Sequence, residues 1–206
     1  MAIGDPYVSL AEFKEYLNVP VGKISLDLSA ATAIESASRE VERHCNRQFN
    51  KQTSATPRLY RPGTRSTVAV DDFWTDEGLV VEVASGGGDW VALAASDFEL
   101  APENGVVDGQ PGWPYCKIVC VSATGFPGYR RLGSLLSVRV TAKWGWTAVP
   151  GPVRSACEII ASETFNMKDA PFGVAGMDQW GPVRVRDNRI AASKLSRYTR
   201  NKLLVG

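Results

Sequence analysis

The hydrophobic pattern of the chain changes its period within residues 138–161. Alternate positions over residues 138–144 are apolar, which is the pattern of a strand with one buried face. The sequence Val-Pro-Gly-Pro at residues 149–152 interrupts this alternation, and Pro152 suits the first turn of a helix. From Val153 onward apolar residues recur at helical spacing. The pattern predicts that a β region ends here and a helical region begins.

Helical spacing of apolar residues is found at both ends of the chain. Ser9 and Glu12 have the spacing of a capping box, which predicts a short first helix. A longer second helix is predicted over residues 27–49, with an apolar stripe that begins at Leu28. The remaining helices are predicted over residues 153–167 and 188–204.

The residues between these helical regions are rich in Gly, Pro, Val and Trp and contain short alternating runs. Short strands separated by turn sequences are typical of an antiparallel β-sandwich or barrel-like module. The predicted fold class is therefore α+β, a helical bundle domain with an inserted β domain and an extended C-terminal arm ending in a helix. The helical domain comprises residues 1–55 and 150–168, the β domain residues 56–149, and the arm residues 169–206. The strands are predicted at residues 58–60, 67–70, 79–83, 90–93, 98–100, 106–107, 117–121 and 136–143.

Charge is distributed unevenly along the chain. The formal net charge is only +1, yet residues 181–206 contain seven basic residues and one acidic residue. Such a basic segment suits nucleic acid or an acidic protein surface. Leu195, Tyr198 and Leu203 add an apolar stripe, which favours a helix that docks in the groove of a partner.

No catalytic motif is present in the sequence. The chain has one histidine, His44, and lacks both a Gly-x-Ser-x-Gly elbow and a Cys/His pair in a nucleophile context. The four cysteines are scattered, which favours reduced thiols packed in the core over a disulfide framework or a zinc site. We predict no enzyme activity, no metal and no cofactor. A signal-peptide pattern and an apolar run of membrane-spanning length are also lacking, so a soluble, non-exported protein is expected.

Aromatic and acidic residues of the β region allow two interpretations. The acids Asp71, Asp72, Asp76 and Glu77 flank Phe73-Trp74, and we expect them to lie in a solvated loop, although a hydrolase dyad is conceivable. Packing within the core or between domains is the preferred interpretation of the tryptophans, because each Trp buries about 150–250 Å². The alternative is a face that binds sugars. The five tryptophans of this region are Trp74, Trp90, Trp113, Trp144 and Trp146.

The order of these elements resembles the head-tail connector, or adaptor, proteins of long-tailed bacteriophages. The matching sequences are YVSLAEFKEYLNV near the start and SASREVERHCNRQF in the second helix. DWVALAASDFEL and PGWPY follow in the β region, VRVTAKWGWTAVPGPVRSACEIIA at its end, and FGVAGMDQWGPV begins the arm. The resemblance covers nearly the whole chain and rests on the order and pattern of elements.

The resemblance implies a non-enzymatic structural protein of the virion neck, made in the host cytoplasm. Twelve copies would form a ring below the portal protein, genomic DNA would pass through its lumen without sequence-specific binding, and no membrane would be involved. Stopper or other neck and tail proteins are the further partners implied. Portal-binding residues are then expected in the arm and last helix: Trp180, Arg184, Arg186, Arg189, Leu195, Arg197, Tyr198, Arg200, Lys202 and Leu203. Subunit-interface candidates on the second helix are Glu35, Arg39, Glu42, Arg43 and Arg47.

One alternative function from another class is left open. Exposed Trp74, Trp113 or Trp146 would recognise glycan in a tail or receptor-binding module. The burial of these three side chains distinguishes the two hypotheses.

Overall fold

The computed structural model describes residues 4–20, 22–85, 88–122, 125–127, 137–166, 174–178, 181–184 and 188–200. Contacts within the chain divide it into two units. The sheet unit comprises Asn50–Ala148, and the helical unit comprises Gly4–Phe49 together with Val149–Arg200.

The helical unit contains the α-helices predicted from the hydrophobic spacing, with somewhat different ends. Short 3-10 turns precede the second helix, at Ile24–Leu26, and follow the last one, at Ser196–Tyr198. The helices are α1, Leu10–Tyr16; α2, Asp27–Cys45; α3, Gly151–Asn166; and α4, Arg189–Leu195.

Helix α1 begins at the predicted capping box. The Ser9 hydroxyl accepts a hydrogen bond from the Glu12 amide, and the Ser9 amide donates to the Glu12 carboxylate at 2.8 Å. The Ser9 hydroxyl also donates to the Glu12 carboxylate at 2.7 Å. This bond and the bond from the Ser9 amide lower the pKa of Glu12, because they stabilise its charged form. The buried Lys14 side chain pairs with Asp27 and so joins α1 to the start of α2.

Helix α2 ends earlier than its hydrophobic pattern predicts. Asn46 adopts the left-handed conformation, with φ of 51°, which terminates the helix four residues before Phe49. Leu28 is 82% exposed, so the predicted apolar stripe does not include it. The buried face of α2 consists instead of Ala30, Ala33, Ile34, Ala37, Ser38, Val41 and Cys45.

The last helix is also shorter than predicted. Helix α4 gives way to the 3-10 turn at Ser196, and Thr199 is extended. The Ser196 and Thr199 hydroxyls donate hydrogen bonds to the carbonyls of Ser193 and Leu195, and such local bonds compete with helix continuation. Residues 201–204 of the predicted helix lie outside the described residues.

Antiparallel pairing joins six strands of the sheet unit into one open sheet. The strand order is β1-β6-β2-β5-β4, with β3 paired to β2. The mixed helical and antiparallel-sheet class is therefore confirmed, whereas the two-layered sandwich is not formed by the described strands. The strands are β1, Thr56–Tyr60; β2, Thr67–Ala84; β3, Trp90–Ala92; β4, Phe98–Ala101; β5, Tyr115–Cys120; and β6, Val138–Trp144.

Strand β2 explains why the described strands form one sheet. The sequence pattern predicts two strands separated by an acidic loop, but β2 runs unbroken from Thr67 to Ala84. Its first part pairs with β5 and its second part with β6, and the pairing register shifts between Phe73 and Val80. Bulges of this kind bend a strand without ending it. The acidic residues therefore belong to a strand, and the loop prediction was wrong.

Residues 174–184 also differ from the sequence prediction. Strands β7, Val174–Asp178, and β8, Gly181–Arg184, pair with each other in antiparallel fashion within the segment predicted as an extended arm. Antiparallel pairing of two short strands requires paired backbone amides but no hydrophobic period, so the pattern of this segment did not reveal it.

Candidate functional site

The charged residues predicted on α2 for subunit contact divide into two groups. The first group is half-buried and consists of Arg39, Glu42 and Arg47, and the exposed group consists of Glu35 and Arg43. Arg39 and Glu42 form an ion pair at 3.2 Å, and the Arg39 guanidinium also donates to the carbonyl of Asp5. Arg47 follows the helix and is half-buried. Glu35 and Arg43 are exposed. The first group thus has contacts within its own chain, while Glu35 and Arg43 remain at the surface.

Tyr7 connects the first group to the core of the helical unit. Its hydroxyl donates to the Glu42 carboxylate at 2.6 Å and accepts from the backbone amide of Phe49 at 3.0 Å. The Tyr7 backbone amide donates to the Ser38 hydroxyl at 3.1 Å. Burial, followed by the hydrogen bond to Glu42, raises the pKa of Tyr7 above its ordinary value of 10. Glu42 therefore serves the internal structure of the unit in addition to lying on the α2 face.

The exposed group lines a shallow depression on α2. Its volume is about 500 Å³, and Glu35 and Arg43 lie on its wall. Arg43 is 3.8 Å from Glu40, a weak surface pair with 79% of the Arg43 side chain exposed. These side chains are available to a partner.

Helix α4 is attached to the rest of the helical unit. The Asn188 side chain caps the helix by accepting hydrogen bonds from the amides of Ile190 and Ala191, each at 2.9 Å. Its amide nitrogen donates to Glu163 of α3. Ala191 and Leu195 are buried. The helix therefore has both a polar and an apolar attachment to α3.

The predicted portal-binding residues of α4 and the following turn have different surroundings. Leu195 is 2% exposed, so it packs within its own unit and presents no docking surface in this structure. The Tyr198 ring contacts Phe49 edge to face at 6.0 Å, and the Arg200 amide donates to the Cys45 carbonyl at 2.8 Å. Arg189 and Arg197 are exposed.

The other predicted portal-binding residues are not described at the level of their side chains. Arg184 belongs to β8 by its backbone. Trp180, Arg186, Lys202 and Leu203 lie outside the described residues.

An open cleft lies within the helical unit between α2, α3 and α4. Its volume is about 500 Å³. Ile160 of α3 and Ala192 and Leu195 of α4 give it apolar walls. Charged or polar groups at the cleft are Glu40, His44, Glu163 and Arg189, together with Thr164 and Asn188.

The tryptophans predicted as an alternative glycan site are not exposed together. Trp146 is 3% exposed and donates its indole N–H to the Asp72 carboxylate at 2.9 Å. Trp113 is half-buried against Trp146, with ring centroids 5.1 Å apart. Trp74 is half-buried beneath the Lys51 ammonium, which lies 3.9 Å from the ring centroid. The glycan hypothesis requires exposed tryptophans, so it is wrong for the buried Trp146. Trp74 and Trp113 are only partly accessible.

Asp72 shows that the acidic residues are not all solvated. It is 5% exposed, and its backbone carbonyl accepts from the Gly145 amide at 2.6 Å. A carboxylate that accepts a buried indole N–H has a structural role. The solvated-loop expectation is therefore wrong for Asp72, whose contact with Trp146 links β2 to the end of β6.

A second polar cluster lies on the sheet. Arg139 of β6 forms a bidentate ion pair with Glu82 of β2. Its Nη2 and Nε atoms donate to the two carboxylate oxygens at 2.5 and 2.6 Å. Its guanidinium also lies 4.7 Å from the centroid of the Trp90 ring. The hydrogen bond from Arg139 lowers the pKa of Glu82. This cluster ties β6, β2 and β3 together.

The described residues contain neither a cluster of potential metal ligands nor a helix suited to crossing a membrane. No three His, Cys, Asp or Glu side chains are grouped there in a way that could hold a metal ion. Within the same ranges, no helix is both long and apolar enough to cross a membrane.

Comparison with known proteins shows what the fold is similar to. No protein-family model matches the chain, and no curated protein matches it. A chain in a structure of the neck of an empty gene transfer agent particle, computed with C6 symmetry, matches with a TM-score of 0.58 and 16% identity. A chain in the virion of a native gene transfer agent particle matches with a TM-score of 0.52 and 17% identity. Each match covers 100% of this chain and 96% of the other. The chain thus has the fold of a protein found in the neck of such a particle.

Sequence reasoning missed three of the residues that organise these surfaces. Tyr7 was read only as part of a family-like motif, although a Tyr before a helix cap is able to reach the next helix. The sequence pattern predicts that a helix starts at Asn188, but the bond from Asn188 to Glu163 has no signal in the local sequence. Adjacent acids point to opposite sides of a strand or sit in a loop, so the sequence pattern predicts a solvated loop for Asp72. In each case the partner is distant in sequence.

Proposed function

We propose that this chain is a structural head-to-tail connector, or adaptor, of a bacteriophage-type virion. The observation that carries the proposal is the likeness over the full length of both chains to a protein of a gene transfer agent neck. Both units of the chain are included in that likeness. A shared fold alone does not fix function, but the order of sequence motifs independently resembles the adaptor proteins. The proposed role is non-enzymatic, and the proposed location is the virion neck.

The connector would assemble as a ring below the portal, with genomic DNA passing through its lumen. The similar neck structure was computed with C6 symmetry, and a ring of twelve copies is compatible with a six-fold axis. Neighbouring helical units would lie side by side in the ring. Glu35 and Arg43 are exposed on α2 and suit the rim of such an interface. The sheet unit would contact stopper or other neck and tail proteins.

The C-terminal segment would bind the portal. Arg189 and Arg197 are the exposed cations of its described part. Arg189 lies on α4, which is attached to α3, and Arg197 lies in the 3-10 turn that follows α4. Leu195 and Tyr198 would support this surface from within, because both pack inside the helical unit. The proposed contact surface also includes Trp180, Arg184, Arg186, Arg200, Lys202 and Leu203. Its cations would meet portal carboxylates or the phosphates of DNA.

A charge reversal tests the portal assignment. Arg189→Glu combined with Arg197→Glu should leave the helical content unchanged, since both side chains are exposed, and should weaken binding to portal particles. Lys117→Glu is the matched control, because Lys117 is an exposed cation of the sheet unit. Co-sedimentation with purified portal particles measures binding. Retention of the double variant at the level of the control would refute the portal role of this surface.

The salt dependence of the same assay separates charge from apolar contact. If the cations meet carboxylates or phosphates, binding of the unmodified protein should weaken as salt rises from about 50 to 500 mM. Binding that does not change over this range would contradict the electrostatic interpretation. Addition of nuclease to the same samples distinguishes portal carboxylates from DNA phosphates.

A further inference from the structure

Two large apolar side chains are exposed at the start of α2. Ile24 is 76% exposed and Leu28 is 82% exposed. Ile24 lies in the 3-10 turn and Leu28 is the second residue of α2, so the two exposed side chains are four positions apart at the start of the helix. Lys23, which precedes them, is also exposed. We call Lys23, Ile24 and Leu28 the apolar knob.

The cleft described above lies at the other end of α2. Its apolar walls come from Ile160, Ala192 and Leu195, and the Glu40 carboxylate of α2 lies at its edge. About half of the Glu40 side chain is exposed. A volume of about 500 Å³ is in the range of pockets that hold a compact apolar group.

The knob cannot fill the cleft of its own chain. Leu28 and His44, which lines the cleft, are sixteen positions apart on α2. That separation corresponds to roughly 24 Å along the helix axis and roughly 160° around it. The two surfaces therefore face away from each other at opposite ends of one rigid element.

Knob and cleft are complementary in both polarity and charge. The knob offers two apolar side chains beside a cation. The cleft offers apolar walls with two carboxylates, Glu40 and Glu163, and one guanidinium, Arg189. Asp27, which adjoins Leu28, is already paired with the buried Lys14. Burial of Ile24 and Leu28 against Ile160 and Ala192, with Lys23 next to Glu40, would satisfy both surfaces.

We propose that the knob of one copy docks in the cleft of a second copy of this chain. The contact joins different surfaces of the two copies, so every copy keeps one knob and one cleft to offer. Head-to-tail contacts of this kind close into rings when the rotation between copies permits. The proposal rests on the ring assembly proposed above and identifies the surfaces that form it.

Substitution within the knob should weaken self-association. Leu28→Asp places a charge in the apolar contact, and we expect the concentration of half-assembly to rise about ten- to a hundred-fold. Val121→Asp is the control, because Val121 is a similarly exposed apolar residue of the sheet unit, at 51%. Sedimentation velocity over a concentration series measures the shift. Equal association of both variants would overturn the proposal.

Cross-linking between copies tests the pairing directly. Leu28→Cys and Ala192→Cys are made as separate full-length proteins with different tags and treated with a short bis-maleimide, alone and mixed. The expected result is a cross-linked dimer that carries both tags in the mixture and no cross-linked dimer in either protein alone. Absence of the mixed dimer at concentrations where sedimentation detects oligomers would overturn the proposal, as would failure to self-associate at any concentration. Unmodified protein serves to measure background from the native thiols.

Recovery in virion necks distinguishes this inference from the proposed function. If the unmodified chain is found in necks and Leu28→Asp is incorporated equally well, the knob contact is wrong while the connector role stands. If the unmodified chain is never found in necks, the connector role fails, and the cross-linking result still decides whether the contact exists.

Discussion

The hydroxyl of Tyr7 offers a sensitive test of how the helical unit is held together. It donates to Glu42 of α2 and accepts from the Phe49 amide, which lies beyond the end of that helix. Tyr7 and Phe49 are both fully buried. Tyr7→Phe removes one oxygen atom, preserves the ring and its edge-to-face contact with Phe49, and deletes both hydrogen bonds.

The cost of this substitution follows from its two losses. A buried amide left without an acceptor costs about 1–3 kcal/mol. The lost bond to Glu42 adds about 1 kcal/mol, because Glu42 keeps its ion pair with Arg39 and 19% of its side chain meets solvent. We therefore expect the free energy of unfolding of the helical unit to fall by about 2–4 kcal/mol. With an m value of about 2 kcal/mol/M, the urea midpoint should fall by roughly 1–2 M.

Circular dichroism at 222 nm should follow the helical unit during urea unfolding. Tryptophan fluorescence should follow the sheet unit, because five of the six tryptophans lie within residues 50–148. Tyr16→Phe is the matched control, since Tyr16 is 45% exposed and undergoes the same chemical change. The reasoning would be refuted if Tyr7→Phe shifted the helical midpoint no more than Tyr16→Phe.

The same residue gives a pH dependence with a definite sign. The folded pKa of Tyr7 is raised above 10, so the folded state keeps this proton over a range in which the unfolded state loses it. Its contribution to stability is present below pH 10 and is lost progressively above pH 10. One such proton changes the unfolding free energy by about 1.4 kcal/mol per pH unit. Between pH 10 and 11 the unfolding free energy of Tyr7→Phe should therefore fall less than that of the unmodified protein, by up to that amount. An identical pH slope for the two proteins would count against the raised pKa of Tyr7.

Three further outcomes follow from other sites. Gly145→Ala should destabilise the sheet unit by roughly 1–3 kcal/mol or more, since φ is 95° and a Cβ would lie 1.6 Å from the Asn50 carbonyl; Gly63→Ala, in the same unit with open space around it, is the control, and fluorescence-detected urea unfolding compares them. Burial raises the pKa of the Cys45 and Cys157 thiols to about 11, so at pH 8 both should react with Ellman's reagent only on unfolding; prompt labelling would contradict their burial. Addition of a broad glycan panel should leave tryptophan fluorescence unchanged, and saturable quenching would revive the glycan hypothesis.

Much of the secondary structure was predictable because it depends on local periodicity. The Ser9 capping box fixed the start of α1, and the alternation over residues 138–144 matches β6 closely. Helix ends were less predictable. Asn46 ends α2 through a backbone conformation that a hydrophobic pattern does not report.

The path of the sheet could not be predicted from the same signals. The acidic part of β2 predicts a loop because apolar and polar residues do not alternate there. It remains a strand because its backbone pairs with β5 and β6, which lie far away in sequence. Burial of Asp72 is possible only because Trp146 supplies an indole N–H from the end of β6.

The candidate assembly surfaces show a related limit. Glu35, Arg39, Glu42 and Arg43 look alike as a charged helix face, yet Glu42 also receives a bond from the Tyr7 hydroxyl. The exposed Leu28 looks like a core residue because its spacing continues the apolar stripe. A sequence pattern reports polarity and period, whereas exposure depends on which elements pack beside each position.

The attachment of α4 bears on how the C-terminal segment would bind a partner. A seven-residue helix is unstable alone, because nucleation is costly and few hydrogen bonds follow it. The Asn188 cap, its bond to Glu163 and the burial of Leu195 supply the missing stability within the chain. Arg189 is thereby held on an ordered helix, and Arg197 in the turn that follows it, before any partner is present. Preorganised contacts avoid the entropy cost of ordering on binding. If this surface binds the portal, loss of the Asn188 cap should therefore weaken binding in the co-sedimentation assay, even though the Arg189 and Arg197 cations are unchanged.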